Sequence, residues 1–255
     1  MPQTLYLMKC ESNLCSYDVR VNDLHALSVR GEESLSFNIP LNNMIIESGN
    51  MLFTIKILTF PIDSKQKSFF SIKIEHYELD VDKNEILDGP NEVMSYLHSP
   101  NSSNIIERLI KVDVPYRLKT YTEAEQLSNR RDLIRIVTDS VNHFRQMIKQ
   151  GNYEEFLDCL KTHDDNIANS LYWQLSKEDS EFRIQEFKEL MMAGYNFKVV
   201  KDLSLPSFYG YGKLIRYEDK NGESAIVMQN ESTGDEYPMD LYLYLPQGSN
   251  LMQLY

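Results

Sequence analysis

The sequence predicts an α+β protein in two parts: an antiparallel β-sandwich-like domain, then about four helices with an antiparallel β-meander. Three observations lead there. Short alternating apolar segments, broken by turn residues, fill the first 120 residues. After Tyr121 the apolar period changes to that of a helix, with Leu133, Val137, Val141, Phe144 and Ile148 on one face. Near the end alternation returns, with Leu241, Leu243 and Leu245 pointing one way and Tyr242 and Tyr244 the other. The expected domains are therefore 1–121 and 122–255.

In the first domain, strands are expected over 4–8, 14–21, 24–29, 34–39, 51–60, 68–79 and 108–119. Asn22-Asp23 separates the second from the third, and Pro40, Pro61 and Pro115 act as stops. Phe53, Ile55 and Ile57 share one face of their strand, as do Phe70, Ile72 and Ile74. A short helix is expected over 91–97, followed by a surface loop at 100–104.

In the second domain, Thr122-x-x-Glu125 has the form of a capping box, so a helix is expected to begin there. The long amphipathic helix through Ile148 ends at Gly151. Asn152-x-x-Glu155 opens a second, with Phe156, Leu157 and Leu160 inward. A third is expected from Ile167, Leu171 and Leu175 at i+4 spacing, with Asp164 or Asp165 at its N-terminus. A fourth starts near Ser176 or Asp179, buries Phe182, Phe187, Leu190 and Met191, and stops at Gly194. A strand over 196–201 then leads to the meander, whose turns are Asn221-Gly222 and 232–235.

With 42% apolar residues, 16 Tyr and 11 Phe, the chain has ample material for a core, and the aromatics argue against disorder. The net charge of −12 is divided unevenly, −4 before Thr122 and −8 from it onward. Phosphate backbones and anionic lipid repel such a chain, so neither nucleic acid nor membrane is an expected partner, whereas a basic protein is attracted. Three cysteines form no CxxC pair, no run is long and apolar enough to span a bilayer, and the N-terminus does not read as a secretion signal. The expected compartment is the cytoplasm.

The candidate chemistry is sparse. His76-x-Glu78-x-Asp80-x-Asp82 places four possible ligands on one strand face, but residues two apart on a strand are about 6.5 Å apart and cannot converge on one ion. The calcium-loop reading of Asp80-Val-Asp82-Lys-Asn84 fails at Glu85, where glycine is needed, and at Asn91, where a bidentate glutamate is needed. His163-Asp164-Asp165 lacks a second histidine, and Cys159 with His143 reads as helix packing. Nucleophile-elbow, phosphate-loop and dinucleotide motifs do not occur, and Tyr209-Gly210-Tyr211-Gly212 reads as a strand bend. No cofactor, metal or catalytic residue is expected. What stands out is a set of acidic runs, Glu154-Glu155, Asp164-Asp165 and Glu178-Asp179-Ser180-Glu181, with tyrosines Tyr209, Tyr211, Tyr242 and Tyr244 in the closing sheet. Tyrosine suits interfaces because it buries area while keeping a polar tip.

From Thr122 onward, the order of capped helices, a strand and a meander resembles the cone-shaped fold of the nuclear-transport-factor and SnoaL-like superfamily. That resemblance implies either a binding module or a lyase- or isomerase-type pocket. The acidic runs and the tyrosine-rich sheet resemble immunity proteins of bacterial toxin systems, the type VI secretion and polymorphic-toxin group. This second resemblance implies a non-enzymatic inhibitor of a cognate toxin, possibly a basic nuclease, with Glu154, Glu155, Asp164, Asp165, Glu178, Asp179, Glu181, Tyr209, Tyr211, Tyr242 and Tyr244 as partner-binding residues. A structural adaptor is the third expectation.

Overall fold

The structure is a computed structural model. It describes residues 3–31, 33–61, 67–83, 85–99, 102–119, 121–173, 176–199, 206–218, 224, 226–239 and 241–255. The chain divides into two compact units, 1–119 with 169–173, and 120–168 with 174–255.

The first unit is built from eight strands: β1 (Gln3–Asn13), β2 (Ser16–Val21), β3 (Leu24–Val29), β4 (Leu35–Pro40), β5 (Gly49–Thr59), β6 (Phe69–Asp80), β7 (Glu85–Leu97) and β8 (Ile105–Val112). They form two antiparallel sheets of order β4-β1-β6-β7 and β3-β2-β5-β8. Tyr6, Met8 and Cys10 of β1, Val19 of β2, Phe53, Ile55 and Ile57 of β5, and Phe70, Ile72 and Ile74 of β6 are buried. The two inner faces meet where the Tyr17 and Phe70 rings lie 4.5 Å apart. Burying the Tyr17 phenol requires partners for its oxygen. The Cys10 thiol donates to it at 3.3 Å, and the Ser12 hydroxyl lies at 3.2 Å. The β2–β3 turn has Asn22 and Asp23 both at positive φ, the backbone that a two-residue hairpin of this hand needs.

The second unit contains α1 (Leu133–Gln150), α2 (Tyr153–Ser170), α3 (Lys177–Met192), β9 (Tyr195–Val199), β10 (Ser207–Tyr209), β11 (Leu214–Arg216), β12 (Ile226–Asn230), β13 (Glu236–Pro238), β14 (Leu243–Tyr244) and β15 (Gln253–Leu254). The last two residues of α2 group with the first unit. The strands form two antiparallel sheets, β13-β12-β9 and β10-β11-β14-β15. One core joins them to the helices. The α1 stripe from Leu133 to Ile148 is buried with Phe156, Phe197, Ile215, Met228 and Leu243. Phe156 sits at its centre, edge-on to Phe144, Phe187 and Phe197 at 6.4, 5.3 and 6.2 Å.

The structure corrects the expected fold class in four places. The chain is mostly strand, with three helices among the described residues instead of four. First, α2 runs unbroken to Ser170, because 153–170 contains neither glycine nor proline; of the expected third helix, Ile167 lies in α2, Leu171 in the turn after it, and Leu175 outside the described residues. Asp164 does not cap a new helix; it pairs with Arg183 of α3.

Second, the Thr122–Glu125 box starts no helix. Tyr121–Glu123 is a single 3-10 turn, the Glu125 amide donates to Leu245 O at 2.9 Å, and the Glu125 carboxylate holds Arg130. Third, 91–97 is not helical but part of β7, with Ile72 opposite Tyr96 and Ile74 opposite Met94. Pairing to a long neighbour overrides its local preference.

Fourth, the closing segment is not one three-stranded meander. β11 pairs with β14, and β12 pairs with β9 and β13. The first meander strand breaks at Gly210-Tyr211-Gly212, a 3-10 turn with positive φ throughout. A Cβ on Gly210 would lie 2.6 Å from the Tyr121 ring, so only glycine fits. The Asn221-Gly222 turn lies outside the described residues.

Candidate functional site

The acidic runs fall on two helices of the second unit. α2 carries five carboxylates against Lys161, and α3 five against three cations, an excess of six negative charges out of the net −12. Glu154 and Glu155 occupy the first turn of α2, where the helix dipole favours anions. Two hollows run between α2 and α3. Glu154, Asp158, Asp164 and Asp165 line the first with Lys161, Ser180 and Arg183, about 440 Å³ in volume. Glu154, Glu155 and Asp158 line the second with Tyr153, Ile184 and Lys188, about 500 Å³. Arg183 is bound to Asp164, so this cation is already neutralised within the surface.

The remaining acidic residues have local work. Ser176 and Asp179 form a reciprocal capping box at the start of α3, the hydroxyl accepting from the Asp179 amide and the carboxylate from the Ser176 amide. The two hydrogen bonds from Ser176 hold the Asp179 carboxyl below its ordinary pKa. Glu181 pairs with Lys177 at 3.2 Å. Glu178 shares that first turn, and none of these three residues lines either hollow.

The tyrosines form a separate cluster. Tyr209 is buried at 3% exposure, and its hydroxyl donates to Glu218, which also holds Arg216. Its ring meets Tyr242 at 5.4 Å, and Tyr242 and Tyr244 pack on Tyr255 at 6.5 and 6.2 Å. Burial raises the pKa of the Tyr244 phenol, which donates to Gln253 at 2.6 Å. Tyr211 alone of the four projects outward, at 58% exposure. The tyrosine face is thus mostly self-packed.

The sequence reading missed a third hollow, of about 490 Å³, beside α3. Its helix side is Phe187, Leu190 and Ala193; its sheet side is Met228, Tyr237 and Met239; Arg183, Glu186 and Glu189 form its edge. α3 has no fully buried residue, and Phe182, expected inward, is 64% exposed. A signal existed in Met228 and Met239, since methionine adapts to irregular apolar surfaces.

The other motifs hold no convergent chemistry. His76 lies against Asn91 at 3.4 Å and the Tyr6 ring at 5.8 Å, and Asp80 pairs with Lys83. The Asn84 of the calcium-loop reading lies outside the described residues. The Cys159 thiol donates to Glu155 O, and burial raises its pKa, which suppresses thiolate. Among the described residues no group of three or more His, Cys, Asp or Glu is placed to hold a metal ion. None of their helices is long and apolar enough to cross a membrane. Compared with family models, curated proteins and solved structures, the chain matches none of them.

Proposed function

We propose that this protein is a non-enzymatic inhibitor, of the immunity type, that binds a basic toxin in the cytoplasm and occludes its active site. The observation that carries the reading is the acidic α2–α3 face. Half of the net negative charge lies on two helices, and the hollows between them are lined by Glu154, Glu155, Asp158, Asp164 and Asp165 against Lys161, Arg183 and Lys188. Like charges gathered on one face steer an oppositely charged partner and speed its association. A nuclease fits as that partner, because its substrate-binding surface is itself built to attract phosphate.

The small-molecule reading needs room between helices and sheets. Phe144, Phe156, Leu241, Leu243 and Leu245 fill the centre of that space as one packed cluster, so the room that a small molecule would use is the open apolar hollow of about 490 Å³ beside α3.

The test is binding to the product of the adjacent gene, read by calorimetry and by relief of growth arrest on co-expression. The wild type should form a complex whose affinity falls with added salt. The triple variant Glu154→Lys, Glu155→Lys, Asp158→Lys should lose at least about tenfold, about 1.4 kcal/mol. Absence of any complex, or an unchanged affinity in the triple variant, overturns the reading.

A further inference from the structure

The apolar hollow beside α3 is chemically unlike the acidic hollows, yet it adjoins them: Arg183 lines both it and the first of them. The hollow exists because, among the described residues, the sheet β13-β12-β9 is only partly covered. α3 packs along β9 at one side. Met228 and Tyr237 stand opposite each other on β12 and β13, so they share a face, and with Met239 they form the sheet wall of the hollow. Tyr237 is 54% exposed there, and β13 is the outer strand. Among the described residues nothing fills the position beside α3 where the next helix of a helix-on-sheet layer would pack, about 8–10 Å from its axis.

We propose that this position receives an amphipathic helix of the protein partner, with apolar side chains in the hollow and lysines or arginines along its flank. The inference rests on the reading that the α2–α3 face binds a basic protein, and it adds the anchor. The choice of a helix follows from the layer geometry. The choice of a basic flank follows from the edge: Glu186 and Glu189 are exposed carboxylates on α3, while Arg183, the edge cation, is already held by Asp164. An apolar centre bordered by charge is how strong protein interfaces are laid out, the buried centre giving affinity and the border giving orientation. Met228 and Met239 let the wall adjust to the side chains that enter.

The test uses the full chain carrying ¹³C-methyl methionine, titrated with a synthetic amphipathic peptide of about 18 residues, about 27 Å of helix. The peptide has a leucine face flanked by lysines; the control carries glutamates in place of the lysines. The lysine peptide should shift the Met228 and Met239 methyl signals, and the glutamate peptide should leave them in place. Ala193→Arg, an exposed position on the hollow, should weaken the lysine peptide about tenfold, as should the pair Glu186→Lys, Glu189→Lys. Unmoved Met228 and Met239 signals, or equal binding to the Ala193→Arg protein, overturn the proposal. The adjacent-gene product separates the two levels. If it still binds the Ala193→Arg protein but not the α2 lysine variant, the anchor is wrong and the inhibitor reading stands. If it binds neither variant nor wild type, the inhibitor reading fails, and the peptide spectra alone decide the hollow.

Discussion

The two units bury their aromatic residues differently. In the first, β1, β5 and β6 are 11 to 12 residues long and pair along most of their length. Their inward residues are almost completely covered, and the Tyr17 phenol has its own donors inside. In the second, the strands run two to five residues, and α3 rests on the core without one fully buried side chain. Phe187, Leu190 and Met191 are only partly covered although they pack against that core. A long-stranded sandwich closes its own core. A short sheet with one partly docked helix leaves apolar surface that another chain can cover.

Core truncations should give the largest effects and should be similar in both units. Phe53→Ala in the first and Phe156→Ala in the second should each cost about 3–5 kcal/mol in denaturant unfolding. A loss below about 1 kcal/mol at Phe156 would mean that the second core is looser than its burial implies. On α3 the cost should shrink with coverage. Phe187→Ala should cost about 1–2 kcal/mol, and Phe182→Ser should change stability by no more than about 0.5 kcal/mol. A Phe182→Ser loss as large as that at Phe187 would put α3 on a covered surface and erase the contrast.

Charge gives a smaller, pH-dependent effect in the first unit. Glu75 lies between Lys73 and Lys9, each at 2.7 Å, and accepts from the Tyr77 hydroxyl; Lys73 first and Lys9 next lower its pKa to about 2. Its unfolded value is higher, about 4.3, so its contribution is complete above that pH and is lost as pH falls toward about 2. Glu75→Gln should therefore be less stable than wild type at neutral pH by about 1 kcal/mol, because both lysines are partly exposed. The two proteins should converge near pH 2. A constant difference across the range would show that the cost of Glu75→Gln comes from packing.

Long-range pairing is what the sequence could not display. Alternation at Phe53, Ile55 and Ile57 marks a strand and its inner face, because one face of a paired strand must be dry. The helix stripe of α1 and its Gly151 stop are legible for the same local reason, and Gly151 takes the left-handed conformation with its amide on Ile148 O. Capping signals mislead where tertiary contacts claim the same groups: Glu125 is occupied by Arg130, and Asp164 by Arg183. In the closing segment β12 finds β9 some thirty residues back, and no turn residue announces that choice.

The acidic half of the candidate surface was readable because charge is written residue by residue. The apolar half was not, because α3 and β13 are distant in sequence and meet only in the fold. Phe182 shows the limit in the other direction, since an aromatic at helical spacing here is exposed among the described residues.

Hydrogen–deuterium exchange on the full chain, with and without the adjacent-gene product, tests the central claim most directly. Before addition, α3 amides should exchange through lower-energy openings than those of β6, since α3 is the less covered element. On addition, protection should appear in 154–165, 183–193 and 226–239. Protection confined to the strands of the first unit, or none at all, would contradict the account.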